Sequence, residues 1–168
     1  RHMSSSRPLS HPLSVRRSMS IRNVAALALL IVSTVATACL SAQDRTYYGG
    51  RSPADGDDVL PFSGAVQVEN TLYLSGMLGL EGGQVPATAE AEATNVLNGM
   101  QAALENAGMT MNDLVMVQIY SSDVADYGAF NSVYRTYFTT EFPARAFIGA
   151  GTLLFNARFE VLGVAVKR

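Results

Sequence analysis

The hydrophobic pattern of the chain after residue 60 predicts five strands and two helices. Two short apolar runs around the polar pair Glu69-Asn70 indicate a β-hairpin. Apolar residues at three- and four-residue steps predict one helix over Thr88–Ala107 and a second over Asp123–Phe138. Thr88 suits the N-cap of the first helix, and Gly108 suits the position after its end. The predicted strands are Ala65–Val68, Thr71–Ser75, Leu114–Ser121, Arg145–Ala150 and Arg158–Val166.

The order of these elements predicts an α+β domain. Strands and helices follow one another as β-β-α-β-α-β-β, which places two helices on one face of a mixed sheet. The run Leu114–Ser121 is apolar at nearly every position, which is typical of a strand that is buried on both faces. A domain of this size has no further layer to cover the second sheet face. We therefore expect the chain to self-associate through that face.

Residues 1–42 have the pattern of an export leader. A positive segment, Arg16–Arg22, precedes the apolar run Val24–Val35, and Ala36-Thr37-Ala38 resembles a cleavage signal. The run is shorter than the roughly 20 apolar residues that a membrane-spanning helix needs. These features predict a signal peptide and a periplasmic or secreted protein. Residues 1–3 resemble a cloning scar.

The junction between the leader and the domain leaves one alternative open. Cys39, the only cysteine of the chain, directly follows the cleavage signal. It is either the lipidated residue of a lipoprotein, which would anchor the protein to a membrane, or incidental beside an ordinary cleavage site. Residues 43–59 are polar and rich in Gly and Asp, and they predict a flexible linker. The folded domain is accordingly expected over 60–168.

Charged residues are distributed unevenly along the chain. Of the 12 basic residues, five lie before Gln43 and seven follow it, whereas all 14 acidic residues follow it, so the net charge from Gln43 onward is −7. Nucleic-acid binding depends on clustered Lys and Arg. We therefore expect no nucleic-acid partner.

The residue inventory after Cys39 excludes several kinds of catalysis. That part of the chain has no His and no Cys, and its only lysine, Lys167, is next to the C-terminus. This composition excludes Ser-His-Asp and Cys-His nucleophilic sites, the usual zinc sites and disulfides within the domain. It also disfavours a cofactor bound to lysine as a Schiff base. We expect no metal and no cofactor.

Two charged residues lie in apolar strands near the C-terminus. Arg145 opens one predicted strand, and Glu160 lies inside the next, where both faces are apolar. A buried carboxylate is strongly disfavoured unless it has a partner or a raised pKa. The pair is therefore either a structural ion pair or part of a catalytic site, and the spacing alone favours neither.

The segment Pro61–Arg168 resembles the RidA (YjgF/YER057c/UK114) family. The resemblance covers nearly the whole predicted domain and needs no insertion after Arg145. Its motifs are weak one by one and specific in this order. They are Asn70–Gly76, Val96-Leu97-Asn98 through Ala107-Gly108, Asn131–Tyr134 with Tyr137-Phe138, Pro143-Ala144-Arg145, and Phe159-Glu160-Val161 with Val164-Ala165-Val166.

The resemblance implies a fold, an assembly and an activity. Members of the family have a chorismate-mutase-like fold and form homotrimers with a site at each subunit interface. They hydrolyse reactive enamines and imines of the 2-aminoacrylate type to 2-keto acids and ammonia, without a metal or an organic cofactor. The implied ligand is a small carboxylate.

The resemblance also implies roles for six residues. Arg145 aligns with the arginine that holds the substrate carboxylate, a task that suits the permanently charged, forked guanidinium. Glu160 aligns with the glutamate that positions or activates the attacking water. Backbone groups near Gly76 and Phe147 would orient the substrate. Phe62 and Asn131 would line the pocket, partly from the neighbouring subunit.

Several positions depart from the family pattern and make the expected pocket more apolar. Phe62 stands where the family often has Tyr, and Met77 replaces a polar residue. Phe147 is larger than usual, and Thr152-Leu153-Leu154 replaces an Arg-Leu-Pro segment. These departures keep a second hypothesis open, in which the chain is a non-catalytic exported protein that binds a small carboxylate through Arg145.

Overall fold

A six-stranded mixed sheet and two helices form the part of the chain that the structure describes. The sheet order is β1-β2-β3-β6-β4-β5; β4 and β5 run parallel, and the other neighbours are antiparallel. This architecture confirms the predicted α+β class. The strands are β1 (Arg45–Tyr48), β2 (Ala65–Val68), β3 (Thr71–Leu78), β4 (Leu114–Ser121), β5 (Ala144–Gly149) and β6 (Phe159–Val166), and the helices are α1 (Ala89–Asn106) and α2 (Tyr127–Tyr134).

The structure is a computed structural model that describes residues 43–50, 52, 54, 56 and 59–168. The predicted signal peptide, the cloning scar and Cys39 lie outside the described residues and stay predictions. Among the described residues, no helix is both long and apolar enough to cross a membrane.

The predicted linker over 43–59 is wrong in part, because it contains strand β1. Arg45–Tyr48 pairs antiparallel with β2, and the Tyr48 hydroxyl donates a hydrogen bond of 2.7 Å to the side chain of Gln67. The tyrosines and Thr46 favour extended structure, and β1 provides hydrogen-bond partners for the outer edge of β2. The domain therefore begins near residue 45 and not at residue 60.

Helix α1 forms where its apolar stripe predicts it. The side chain of Thr88 accepts a hydrogen bond of 3.1 Å from the Ala91 N–H, as expected for an N-cap. Gly108 has a φ of +67°, and the Met109 N–H bonds back to the Leu104 carbonyl at 2.9 Å, which ends the helix. The stripe that is fully buried against the sheet comprises Ala93, Val96, Leu97, Met100 and Leu104.

The second predicted helix is broken into three pieces. A 3₁₀ turn at Val124–Asp126 precedes α2, and another at Arg135–Tyr137 follows it. Asp123 caps the first turn through a hydrogen bond of 2.9 Å from the Ala125 N–H. The side chain of Tyr137 donates to the Asn98 side chain of α1 at 2.7 Å. A local cap thus shapes the first end of the predicted segment, and a tertiary contact holds the other end against α1.

Alternation along β6 separates the two faces of the sheet. Phe159, Val161 and Ala165 are buried on the helix-covered face, whereas Leu162 and Val164 on the opposite face are only partly buried. Tyr73 of β3, which pairs with Val164 of β6, is half exposed. The described residues of one protomer therefore leave an apolar sheet face uncovered, as the strand pattern predicts.

A buried carboxylate fixes α1 to the start of β6. Glu92 is completely buried, and its Oε1 accepts hydrogen bonds from the backbone N–H groups of Arg158 at 2.6 Å and Phe159 at 3.1 Å. Its Oε2 forms a salt bridge of 3.0 Å with the Arg158 guanidinium. That guanidinium also donates to the Pro86 carbonyl at 2.8 Å. The carboxylate is thus fully satisfied.

We predict that Glu92→Ala lowers the free energy of unfolding by about 2–4 kcal/mol, because it leaves a partly buried guanidinium and two backbone N–H groups without their partner. Urea denaturation measures the change. Glu90→Ala is the matched control, because Glu90 is exposed on the first turn of the same helix. A loss for Glu92→Ala no larger than the control's would contradict the structural role.

Candidate active site

Arg145 lies on edge strand β5 with its guanidinium against two aromatic rings. The guanidinium carbon is 4.8 Å from the centre of the Tyr134 ring and 5.7 Å from that of Tyr127. Within the described residues Arg145 makes no salt bridge. Cation–π contacts hold a guanidinium through its face and leave the N–H groups at its edge available. The arrangement suits the binding of an anion.

A cavity of about 220 Å³ adjoins this guanidinium, and we call it the arginine cleft. It lies between α2 and the start of β5. A further cation, Arg135, is among its lining residues, and none of the described residues that line it is acidic. The lining residues are Tyr127, Asn131, Tyr134, Arg135, Phe142, Pro143 and Arg145.

The Tyr127 hydroxyl belongs to a polar cluster in the arginine cleft. A side-chain hydrogen bond with Asn131, followed by the positive charge of Arg145, lowers the pKa of this hydroxyl below its usual 10.0. The ring of Tyr127 packs edge-on against Phe147, with ring centres 5.1 Å apart. Tyr134 behaves in the opposite way, because burial raises its pKa to about 12.

Glu160 lies in a second, more apolar cavity of about 560 Å³, which we call the glutamate pocket. Phe62, Leu154 and Phe155 are each more than half exposed there. Gly76 touches the carboxylate so closely that an added Cβ would overlap Glu160 Oε1. The lining residues are Leu60, Phe62, Ser75, Gly76, Leu78, Leu154, Phe155 and Glu160.

Arg145 and Glu160 lie on opposite faces of the sheet in one protomer. Arg145 points toward α2, whose tyrosines it contacts. Phe159 and Val161, which flank Glu160 on β6, are buried on this helix-covered face, so Glu160 points to the uncovered face. The interpretation of the two residues as an ion pair within one chain is therefore wrong.

The sequence-predicted site residues divide between the two cavities. Asn131 lies with Arg145 in the arginine cleft, and Phe62 and Gly76 lie with Glu160 in the glutamate pocket. The Phe147 side chain lines neither cavity and instead packs in the core, 5.8 Å from Phe130 between ring centres. Its backbone remains on the sheet edge, where it can offer hydrogen-bonding groups to a ligand.

Three polar or charged residues of the arginine cleft had no predicted role in the site. They are Tyr127, Tyr134 and Arg135. Tyr134 is buried, whereas Tyr127 is about half exposed. The useful signal was the spacing of Tyr127, Asn131 and Arg135, because residues four apart share one face of a helix.

Comparison with known proteins decides the family. Residues 56–167, about two thirds of the chain, match the protein family described as Endoribonuclease L-PSP. The chain belongs to the Endoribonuclease L-PSP family. This assignment agrees with the resemblance to RidA that the sequence motifs indicate.

Relatives of the chain are named for an enzymatic activity. The chain is 38% identical over 109 residues to a 2-iminobutanoate/2-iminopropanoate deaminase of Dermatophagoides farinae, covering 63% of this chain and 85% of the relative. It is 36% identical to the mouse protein of the same name, covering 64% and 82%. A crystal structure of RidA from the Antarctic bacterium Psychrobacter is 29% identical, has a TM-score of 0.61, and is matched over 64% of this chain and 89% of that one.

We predict that Tyr127 ionises at a lower pH than Tyr134 in the folded protein. Because the folded-state pKa of Tyr127 is lowered, its contribution to stability is present above pH 10.0 and is lost as the pH falls through the folded pKa. The raised pKa of Tyr134 acts in reverse. Its contribution is present below pH 10.0 and is lost as the pH rises through about 12.

Tyrosinate absorbance during an alkaline titration measures this order. Tyr127→Phe should remove an early component of the native titration, and Tyr134→Phe a late one. Asn131→Ala should raise the pKa of Tyr127, because it removes the hydrogen bond that favours the phenolate. If Tyr127→Phe leaves the early part of the curve unchanged, the hydroxyl is not in the cluster described above.

Proposed function

We propose that this protein is a hydrolytic deaminase that needs no cofactor and converts reactive 2-enamine and 2-imine acids to 2-keto acids and ammonia. The single observation that carries the proposal is Arg145, an arginine without a carboxylate partner among the described residues, held on aromatic rings at a small cleft. The names of the relatives support the reaction class.

Arg145 would bind the substrate carboxylate. A guanidinium offers two parallel N–H donors to a carboxylate and stays charged at any physiological pH. Tyr134 and Tyr127 restrict the guanidinium, so less side-chain entropy is lost when the carboxylate binds. Asn131 would add a polar contact from the same cleft.

Glu160 would act on the attacking water. Water adds through its oxygen to C2, the iminium carbon, and the Glu160 carboxylate accepts the proton that this water loses. Glu160 then donates this proton to the nitrogen of the resulting carbinolamine. As the C–N bond breaks, the hydroxyl group loses its proton to the departing ammonia and becomes the carbonyl of the 2-keto acid. The apolar side chains of Phe62 and Phe155 would limit access of bulk water to this step.

The opposite placement of Arg145 and Glu160 favours a site shared between subunits. One protomer cannot bring both side chains to one small substrate through the sheet, so the arginine cleft of one protomer would face the glutamate pocket of another. Three such contacts close a ring in a homotrimer. The uncovered apolar face, with Tyr73 half exposed, supports burial against other subunits.

We predict that Arg145→Ala and Glu160→Gln each reduce deamination by about a hundredfold or more, and that mixed trimers of the two variants recover activity. If the variants assemble at random in a ring, about a quarter of the shared sites contain both native residues. The assay follows loss of 2-iminopropanoate or 2-iminobutanoate, generated in situ by an amino-acid oxidase. Native mass spectrometry verifies the mixed trimers.

The matched control mixes the wild type with the double variant. Sites shared between subunits should again retain about a quarter of the activity, whereas sites within one subunit should retain about half. Absence of recovery in verified mixed trimers of the single variants would contradict the shared site. Binding of 2-oxobutanoate that is lost in Arg145→Ala, with no turnover by the wild type, would instead identify a carboxylate-binding protein.

We predict that Gly76→Ala reduces deamination by about a hundredfold, because a Cβ at this position displaces the carboxylate that must meet the water. Gly99→Ala is the matched control, since no atom lies within 4 Å of the Cβ it would add on α1. Steady-state kinetics on folded variants measures both. Equal activity of the two variants would argue against a catalytic role for the Glu160 position.

A further inference from the structure

The arginine cleft contains a second guanidinium that the proposed reaction does not use. Tyr127, Asn131 and Arg135 lie at four-residue steps, so they share the face of α2 and its following turn that borders the cleft. Arg135 is also close enough to Tyr127 for its positive charge to help lower the pKa of that hydroxyl. Two separate observations therefore place this cation at the cleft.

The described residues do not balance the charge of the arginine cleft. Among them, Arg135 makes no salt bridge and no Asp or Glu lines the cleft. A 2-imino acid with one carboxylate would balance only Arg145. Because Arg135 is exposed, solvent screens its repulsion with Arg145 and the protein tolerates the second cation without a ligand.

We propose that Arg135 binds a second carboxylate of the substrate, so that the site favours dicarboxylic 2-imino acids. This inference rests on the proposed deaminase function. The carboxylate next to the imine carbon binds Arg145, and the carboxylate at the far end of the side chain binds Arg135. Tyr127 and Asn131 line the same cleft as the two arginines and offer polar groups to the same ligand.

The arrangement distinguishes substrates by charge more than by size. Monocarboxylic 2-imino acids leave Arg135 without an anion, whereas a dicarboxylic one gains an ion pair at the rim of the cleft. Since Arg135 is partly solvated, its contribution is modest and depends on salt. It acts equally on the bound substrate and on the transition state, and it should therefore appear in KM more than in kcat.

The experiment compares two pairs of imino acids, which amino-acid oxidases generate from aspartate and glutamate and from alanine and 2-aminobutyrate. We expect the wild type to have a higher kcat/KM for the dicarboxylic pair. Arg135→Gln should lower the ratio of dicarboxylic to monocarboxylic kcat/KM about fivefold, through KM. Arg135→Lys should retain part of the preference. Arg45→Gln, which removes an exposed arginine from the opposite edge strand β1, should leave the ratio unchanged.

Calorimetry with stable product acids gives a readout that does not need turnover. The wild type should bind 2-oxoglutarate more tightly than 2-oxobutanoate, and Arg135→Gln should remove the difference. If imino acids of both classes react equally well in the wild type and in Arg135→Gln, the second-carboxylate proposal is overturned while the deaminase function stands. If no imino acid reacts, the deaminase function fails, and equal or undetectable binding of the two product acids overturns the second-carboxylate proposal as well.

Discussion

The buried carboxylate of Glu92 determines how the sheet presents its functional residues. It accepts hydrogen bonds from two successive backbone N–H groups, at Arg158 and Phe159, and pairs with the Arg158 guanidinium. A carboxylate without these partners would be strongly disfavoured in the core. The contact fixes the start of β6 against α1 and turns Phe159 inward, so that the next residue, Glu160, must point to the other face.

Strand alternation then makes the proposed chemistry depend on assembly. Arg145 faces the helices on β5, and Glu160 faces away from them on β6. No side-chain rotation brings both to one small molecule through a closed sheet. The same apolar sheet face that would pack between subunits carries Glu160, so assembly would bury that face and complete the proposed site in one event. Loss of the assembly would accordingly remove catalysis even if each protomer stayed folded.

Local pattern predicted the elements well, and long-range pairing explains what it missed. The α1 stripe, its Thr88 cap and the apolar runs of β4 and β6 depend on neighbours along the chain. Strand β1 is only four residues long and is stabilised by pairing with β2 across a polar loop, which no local period reveals. Alternation along each strand determines the direction in which Arg145 and Glu160 point. Whether the two residues share a sheet face depends on the register of β5 and β6 against β4, which lies between them. Motif resemblance selected both residues as candidates and could not show that they lie apart.

The aromatic contacts of Arg145 explain why a second arginine can share its cleft. Tyr134 and Tyr127 satisfy the guanidinium through its face, so no protein carboxylate is needed to hold it. A carboxylate partner would have neutralised Arg145 and competed with the substrate. With the acidic residues absent from the lining, the cleft keeps a net positive charge that Arg135 increases. Arg145 and Glu160 would then carry out the reaction, whereas Arg135, in the turn after α2, would select the imino acid on which they act.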